Sequence, residues 1–242
     1  MILKKWERLP DFLKTDAVLP YYRALEKKRG TLFVCRLFDV IASAILLAAL
    51  SWLFIIIALA VKIDSRGPVF YRQERVTQYG RRFKIFKFRT MVQNADKAGP
   101  LVTVGGDSRI TRVGRFLRRL RLDELPQLID ILRGTMSFVG TRPEVPRYVD
   151  AYTDEMLATL LLPAGVTSLA SICYKDEGAL LADAADADGL YIEKILPEKM
   201  RYNLAATKNI TFFGNIRLMI ITVFSMLGAD YSPNKEKEKL EV

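Results

Sequence analysis

The chain has 242 residues, half of them hydrophobic, enough to bury the core of one domain and too apolar for a disordered chain. It carries 37 Lys and Arg against 27 Asp and Glu, a net charge of +10, and no histidine, which excludes Ser-His and Cys-His catalysis and leaves carboxylates as the obvious nucleophiles or bases. Its two cysteines, Cys35 and Cys173, lie far apart and give neither a disulfide framework nor zinc-ligand spacing.

The charge is uneven. Residues 1–150 hold 28 basic and 14 acidic side chains, and the remainder 9 and 13. A basic front half calls for an anionic partner: a phospholipid surface, a phosphorylated substrate or nucleic acid.

Residues 1–30 alternate apolar and charged positions through Trp6, Leu9, Phe12, Leu13, Leu19, Tyr22 and Leu25, then end in Lys27-Lys28-Arg29. This predicts an interfacial or packing helical segment interrupted near Pro20, although an ordinary surface helix has the same pattern. Ile41 to Val61 is an uncharged apolar run of 21 residues. As a helix it would be about 31 Å long, enough to cross a bilayer core, so a membrane segment is predicted over residues 31–63. Its length and its distance from the N-terminus exclude a cleaved signal peptide. Lys27, Lys28, Arg29 and Arg36 precede the run, and Lys62, Arg66, Arg72 and Arg75 follow it. A single span concentrates basic residues on one side, so basic flanks at both ends favour a re-entrant helix over a spanning one.

A globular domain is expected over residues 64–232, followed by a charged tail over 233–242. Ser65-Arg66-Gly67-Pro68 is a turn signal, and Val69-Phe70-Tyr71 with Phe83 to Arg89 reads as two short strands around a loop. Alternation puts Lys87 and Arg89 on one strand face, a candidate phosphate clamp. Between Lys62 and Arg121 there are 16 basic and 4 acidic residues. No nucleic-acid recognition module is present and aromatic residues are not interleaved as stacking platforms, so lipid or substrate phosphate explains this excess better.

Asp123 and Glu124 precede Pro126, and Leu125, Leu128, Ile129 and Leu132 fall on one helical face before a stop at Arg133-Gly134. Because Pro126 is tolerated only in a first turn, the helix should start at or just before Asp123, where the dipole and nearby arginines should keep this carboxylate ionised. An acidic helix start is by itself most often a simple cap. Here it lies among arginines, as a site handling phosphates through a divalent cation requires. Further on, Leu169 to Tyr174 reads as a short strand after a turn at Pro163. Asp183, Asp186 and Asp188 read as a solvated acidic face. Ile210 to Leu227 reads as an interfacial helix, since Arg217 would be costly at a bilayer centre. The fold class expected is α+β, mainly helical with a small β hairpin or sheet, membrane-associated through the re-entrant or spanning N-terminal helix and interfacial amphipathic helices.

The order of these features resembles the bacterial sugar transferases, monotopic phosphoglycosyl transferases that act on a polyprenol carrier. The resemblance runs from about Arg29 to Leu227. It is carried by Gly67-Pro68-Val69-Phe70 with Gln73 and Arg75, Phe86 to Met91, Asp107 to Thr111, Leu122 to Leu128, and Ser137 to Pro143. Three stretches depart from the family pattern: Ser51-Trp52 replaces a helix-breaking Ser-Pro, Thr141 replaces a proline, and Thr167 to Ser171 replaces a Thr-Gly-Trp-Ala-Gln stretch associated with the donor.

The resemblance implies an enzyme at the cytoplasmic face of the bacterial inner membrane. Asp123 would attack the sugar-bearing phosphate of a UDP-sugar and expel UMP, after which a polyprenol phosphate acceptor would take the phosphosugar. Glu124 would hold Mg²⁺, and Lys87, Arg118 and Arg142 would hold phosphate oxygens. Membrane lipid is an expected partner and nucleic acid is not. A lipid-linked phosphohydrolase using Mg²⁺ and a non-catalytic basic membrane scaffold are the alternatives. Oligomeric state is left open, a homodimer included.

Overall fold

The computed structural model describes residues 2–93, 95, 107–174, 177–181 and 186–226. Asp183 and the tail over 233–242 lie outside the described residues. Two 3₁₀ turns, Trp6–Arg8 and Asp11–Leu13, lead into α1 (Leu19–Glu26). Pro20 lies in the first turn of α1, where its missing N–H has no partner to lose, so it starts this helix instead of interrupting one. Leu3, Leu9, Leu13, Val18, Tyr22 and Leu25 pack with Val76, Leu160, Leu161 and Leu204 in one core cluster, so no break in packing follows residue 30.

The apolar run divides at Leu50 into α2 (Arg29–Ala49) and α3 (Ser51–Asp64). A re-entrant segment was the favoured expectation, although Ser51-Trp52 offers no proline to turn it. The break follows from where the outer ends are held. Arg36 of α2 donates to the carbonyls of Ile131 and Leu132 at 2.7 and 3.0 Å. At the far end of α3, Asp64 accepts from the Val113 N–H at 3.0 Å. A straight helix from Arg36 to Asp64 would separate these anchors by about 42 Å, whereas both are fixed to one body. Ile41 and Ile45 on α2, and Trp52, Ile55, Ile56, Leu59 and Ile63 on α3, are left exposed.

The chain then forms an antiparallel pair, β1 (Phe70–Thr77) and β2 (Arg81–Phe88), with Tyr71 opposite Lys87 and Gln73 opposite Ile85. The hairpin matches the expected one, with longer strands. α4 (Arg112–Arg119) ends before a 3₁₀ turn over Leu122–Glu124, and α5 (Gln127–Arg133) ends at Gly134. α5 therefore begins four residues after Asp123, not at it. Its buried apolar positions are Leu128 and Ile131, packed on Ile85 and Met136, while Leu132 is exposed.

β3 (Met136–Val139) pairs in parallel with β4 (Ala164–Thr167), across a connection holding α6 (Pro146–Val149) and a 3₁₀ stretch Met156–Leu161. The strand expected over Leu169 to Tyr174 is instead α7 (Leu169–Cys173), because the Ser168 hydroxyl accepts from the Ser171 N–H at 3.0 Å and caps a helix there. After α8 (Glu177–Leu180) and α9 (Ala187–Leu190), a π-helical turn at Tyr191–Ile195 runs into α10 (Leu196–Lys208) and α11 (Phe212–Met226). Asp186 caps α9, and Asp188 accepts from Arg147 and Tyr148, so these two acids have structural partners. α11 leaves Phe213, Ile220, Val223 and Phe224 exposed. The described residues are mainly helical with two small sheets, as the helical α+β class read from the sequence expects.

Candidate active site

Asp123 and Glu124 are placed by three local devices. The helix α4 lies against the strand extension at Thr90 because Gly114 has no side chain: a Cβ there would stand 2.1 Å from the Thr90 carbonyl oxygen. This contact lets the Arg118 Nε donate to the Thr90 hydroxyl at 3.0 Å. Arg121 then takes a left-handed conformation, φ 55° and ψ 18°, which turns the chain into the Leu122–Glu124 turn. Leu122 and Leu125 pack against the cluster of Ile57 and Val61 of α3 with Phe88 and Leu117, while both carboxylates line a cleft of about 710 Å³.

The third arm of the site comes from the sheet β3–β4. Gly140 and Gly165 approach so closely that a Cβ on Gly165 would lie 2.1 Å from the Gly140 nitrogen. The Gly165 N–H donates to the Thr141 carbonyl at 2.9 Å, and the chain leaves this contact as Arg142-Pro143-Glu144. Arg142 reaches Glu124 with two guanidinium nitrogens, one of them 3.2 Å from Oε2. From β2, Lys87 donates to Glu124 Oε1 at 3.2 Å. All five residues singled out in the sequence, Lys87, Arg118, Asp123, Glu124 and Arg142, line this one cleft.

The two carboxylates are electrostatically unlike. Glu124 is buried, which disfavours its charge, but Arg142 and Lys87 beside it hold its carboxyl well below the usual range. Burial, and next the charge of Glu124, push the Asp123 carboxyl up, against the pull of Lys87, Arg118 and Arg142. The arginines expected around Asp123 are present, but the expected helix terminus is not at it, since the 3₁₀ turn separates it from α5 and it is only 7 % exposed. Among the described residues no hydrogen bond or ion pair restrains the Asp123 carboxylate, whereas Glu124 is held by Arg142 and Lys87. Burial also lowers the Lys87 ammonium, while Glu124 chiefly raises the Arg142 guanidinium.

Arg89 does not join Lys87 in a clamp. It follows the end of β2 and is buried, donating to the Val61 and Ser65 carbonyls at 3.2 and 2.7 Å, where it satisfies the C-terminal end of α3. Sequence reading missed Arg121, whose guanidinium lies 3.9 Å from Glu124, and missed the role of Glu144, which accepts from Tyr191 at 2.6 Å and faces Arg75 at 3.9 Å. The alternation of Tyr71, Gln73 and Arg75 on β1 was the signal that could have found the cleft wall, since all three line it.

Among the described residues no group of three or more His, Cys, Asp or Glu side chains forms a cation cage. An adjacent Asp and Glu pair, with Glu124 Oε2 bearing one 3.2 Å contact, fits magnesium of the kind that takes its other oxygens from phosphate and water.

Residues 30–229 match the family described as bacterial sugar transferase. The chain is 33 % identical over 198 residues to a UDP-N-acetylgalactosamine-undecaprenyl-phosphate N-acetylgalactosaminephosphotransferase of Aeromonas hydrophila, covering 81 % of this chain and 44 % of that protein. It is 43 % identical over 144 residues to an undecaprenyl-phosphate glucose phosphotransferase of Komagataeibacter xylinus, covering 57 % and 27 %. A UDP-glucose:undecaprenyl-phosphate glucose-1-phosphate transferase of Caulobacter vibrioides is 42 % identical over 140 residues, covering 57 % and 52 %. The match thus spans between about a quarter and a half of the length of these relatives. With residues 30–229 of the 242 matched, and the motif residues gathered in one cleft, the protein belongs to the bacterial sugar transferase family.

Proposed function

We propose that this chain transfers a sugar 1-phosphate from a UDP-sugar to a polyprenol phosphate at the cytoplasmic face of the inner membrane, as the first membrane step of glycan assembly. The observation that carries this reading is the unlike pair in the cleft: an unrestrained, buried Asp123 beside a Glu124 that gathers three cations. An Asp123 oxygen attacks the sugar-bearing phosphorus, the bridging P–O bond of the diphosphate breaks, and UMP leaves. Lys87, Arg118 and Arg142 exchange part of their present contacts for phosphate oxygens, Arg118 and Arg142 being suited to two-point contacts. Magnesium, held by Glu124 and the diphosphate, would supply charge neutralisation for the leaving phosphate. The acceptor phosphate then displaces Asp123 from the phosphosugar.

The apolar pair α2–α3 gives this chemistry a setting, because a polyprenol remains in the bilayer and the cleft must come to it. We read the pair as re-entrant, with both ends on the cytoplasmic side, supported by their anchorage on one body. The names of the relatives support the acceptor class. The test is UMP release from UDP-glucose and UDP-N-acetylgalactosamine with and without undecaprenyl phosphate. The parent chain should release a single burst without acceptor and turn over with it, and Asp123→Asn should lose both. Full turnover by Asp123→Asn would sink the mechanism.

A further inference from the structure

Of the cations around the carboxylates, Arg121 is held least. Arg142 makes two bonds to Glu124, Lys87 one at 3.2 Å, and Arg118 one to Thr90 at 3.0 Å. Among the described residues the Arg121 side chain has only its 3.9 Å approach to Glu124, and it is 42 % exposed. The Arg121 backbone is nonetheless committed to the left-handed region, which is strained for any residue with a Cβ. A residue that is strained in its backbone and loose in its charged group is arranged to present that group.

What it faces follows from its neighbours. Phe116 of α4 and Leu120 just after it, 53 % and 39 % exposed, precede Arg121, and Leu122 after it packs against the cluster that holds Ile57 and Val61 of the apolar helix α3 with Phe88 and Leu117. Arg121 therefore stands where the apolar surface meets the mouth of the cleft that it lines. We propose that Arg121 holds the phosphomonoester of the lipid acceptor, while the more buried Lys87, Arg118 and Arg142 hold the donor diphosphate. This inference rests on the transferase reading above. In the second half-reaction an oxygen of the Arg121-bound phosphate attacks the phosphorus on Asp123. The new P–O–P bond forms as the bond to the Asp123 oxygen breaks, and the carboxylate is restored with no further reactant. Neutralising the acceptor's charge at the seam lets it approach a phosphosugar that is itself anionic.

A bilayer phospholipid offers similar phosphate chemistry, so the test separates the two sources. Arg121→Gly keeps the left-handed backbone without strain, and Arg121→Lys keeps a cation. In phosphatidylcholine vesicles, Arg121→Gly should raise the KM for undecaprenyl phosphate by about 10- to 100-fold, the worth of a charge-assisted hydrogen bond. Discharge of the preformed adduct by undecaprenyl phosphate should slow by about 10-fold more than adduct formation from UDP-glucose or UDP-N-acetylgalactosamine does, and Arg121→Lys should recover part of the KM. A parallel loss of burst and turnover would assign Arg121 to the donor and overturn the proposal. Unchanged acceptor KM with weaker binding to vesicles containing phosphatidylglycerol would assign it to bulk lipid and overturn it equally. If the parent chain forms no adduct with any UDP-sugar, the transferase reading fails first and this inference falls with it.

Discussion

Asp123 and Glu124 are chain neighbours, yet the cations divide between them so that Glu124 is clamped and Asp123 is not. Because the Asp123 carboxyl is pushed up, adduct formation should decline on the acid side as pH falls through that raised value. Lys87 acts to lower it, so Lys87→Met should move the acid limb of the residual burst rate to higher pH; a limb that stays put or moves down would contradict this electrostatic account. Glu124 has the opposite sign. Its depressed carboxyl stabilises the fold at pH above its unfolded value, and that stabilisation is lost as pH falls through the folded value. Glu124→Ala should therefore lower stability at neutral pH by about 2–4 kcal/mol, discounted because the Arg142 side chain is 30 % exposed. In thermal denaturation the gap from the parent should narrow in acid. Lys87, Arg118 and Arg142 were legible from their motifs. Arg89 was misread because strand alternation says which side chains share a face, but not that a helix C-terminus waits beside one of them.

The docking of α2 and α3 is the element-level feature on which the site depends. Arg36 satisfies two carbonyls at the end of α5, and Asp64 caps the start of α4, so the apolar pair is tied to both helices that flank the Asp123 turn. Arg36→Met should destabilise the chain by about 1–3 kcal/mol, measured by denaturant unfolding in detergent, since two charge-assisted hydrogen bonds are lost and two carbonyls are left open. In a chain otherwise free of cysteine, Lys28→Cys and Arg66→Cys should be labelled from the same side of sealed vesicles; labelling from opposite sides would rule out the re-entrant arrangement. The apolar run could be read from composition, but its break at Leu50 could not, because neither proline nor glycine marks it and the anchors are distant in sequence. Likewise Ser168 turns an apparent strand into α7 through a single hydroxyl contact.

At the scale of the whole molecule, the exposed apolar residues of α2 and α3 lie within the basic part of the chain, residues 1–150. Charge alone would give salt-sensitive attachment to anionic lipid, since exposed charges are screened within about 10 Å at 0.1 M salt. Inserted apolar helices give attachment that persists. The chain should therefore stay with membranes through washes at 1 M salt, and release there would favour a peripheral basic scaffold. Helical class and the hairpin were legible from the sequence, whereas the packing of residues 3–25 into the main body was not, because an amphipathic pattern does not say whether lipid or protein covers it. The central claim is that Asp123 carries the phosphosugar. Intact and peptide mass spectrometry of the chain incubated with UDP-glucose or UDP-N-acetylgalactosamine and magnesium, without acceptor, tests it most directly. The account predicts one added hexose phosphate or N-acetylhexosamine phosphate on the peptide bearing Asp123, matched by UMP and discharged by undecaprenyl phosphate. UMP formed in step with transfer, with no adduct at any time and none on Asp123, would contradict it.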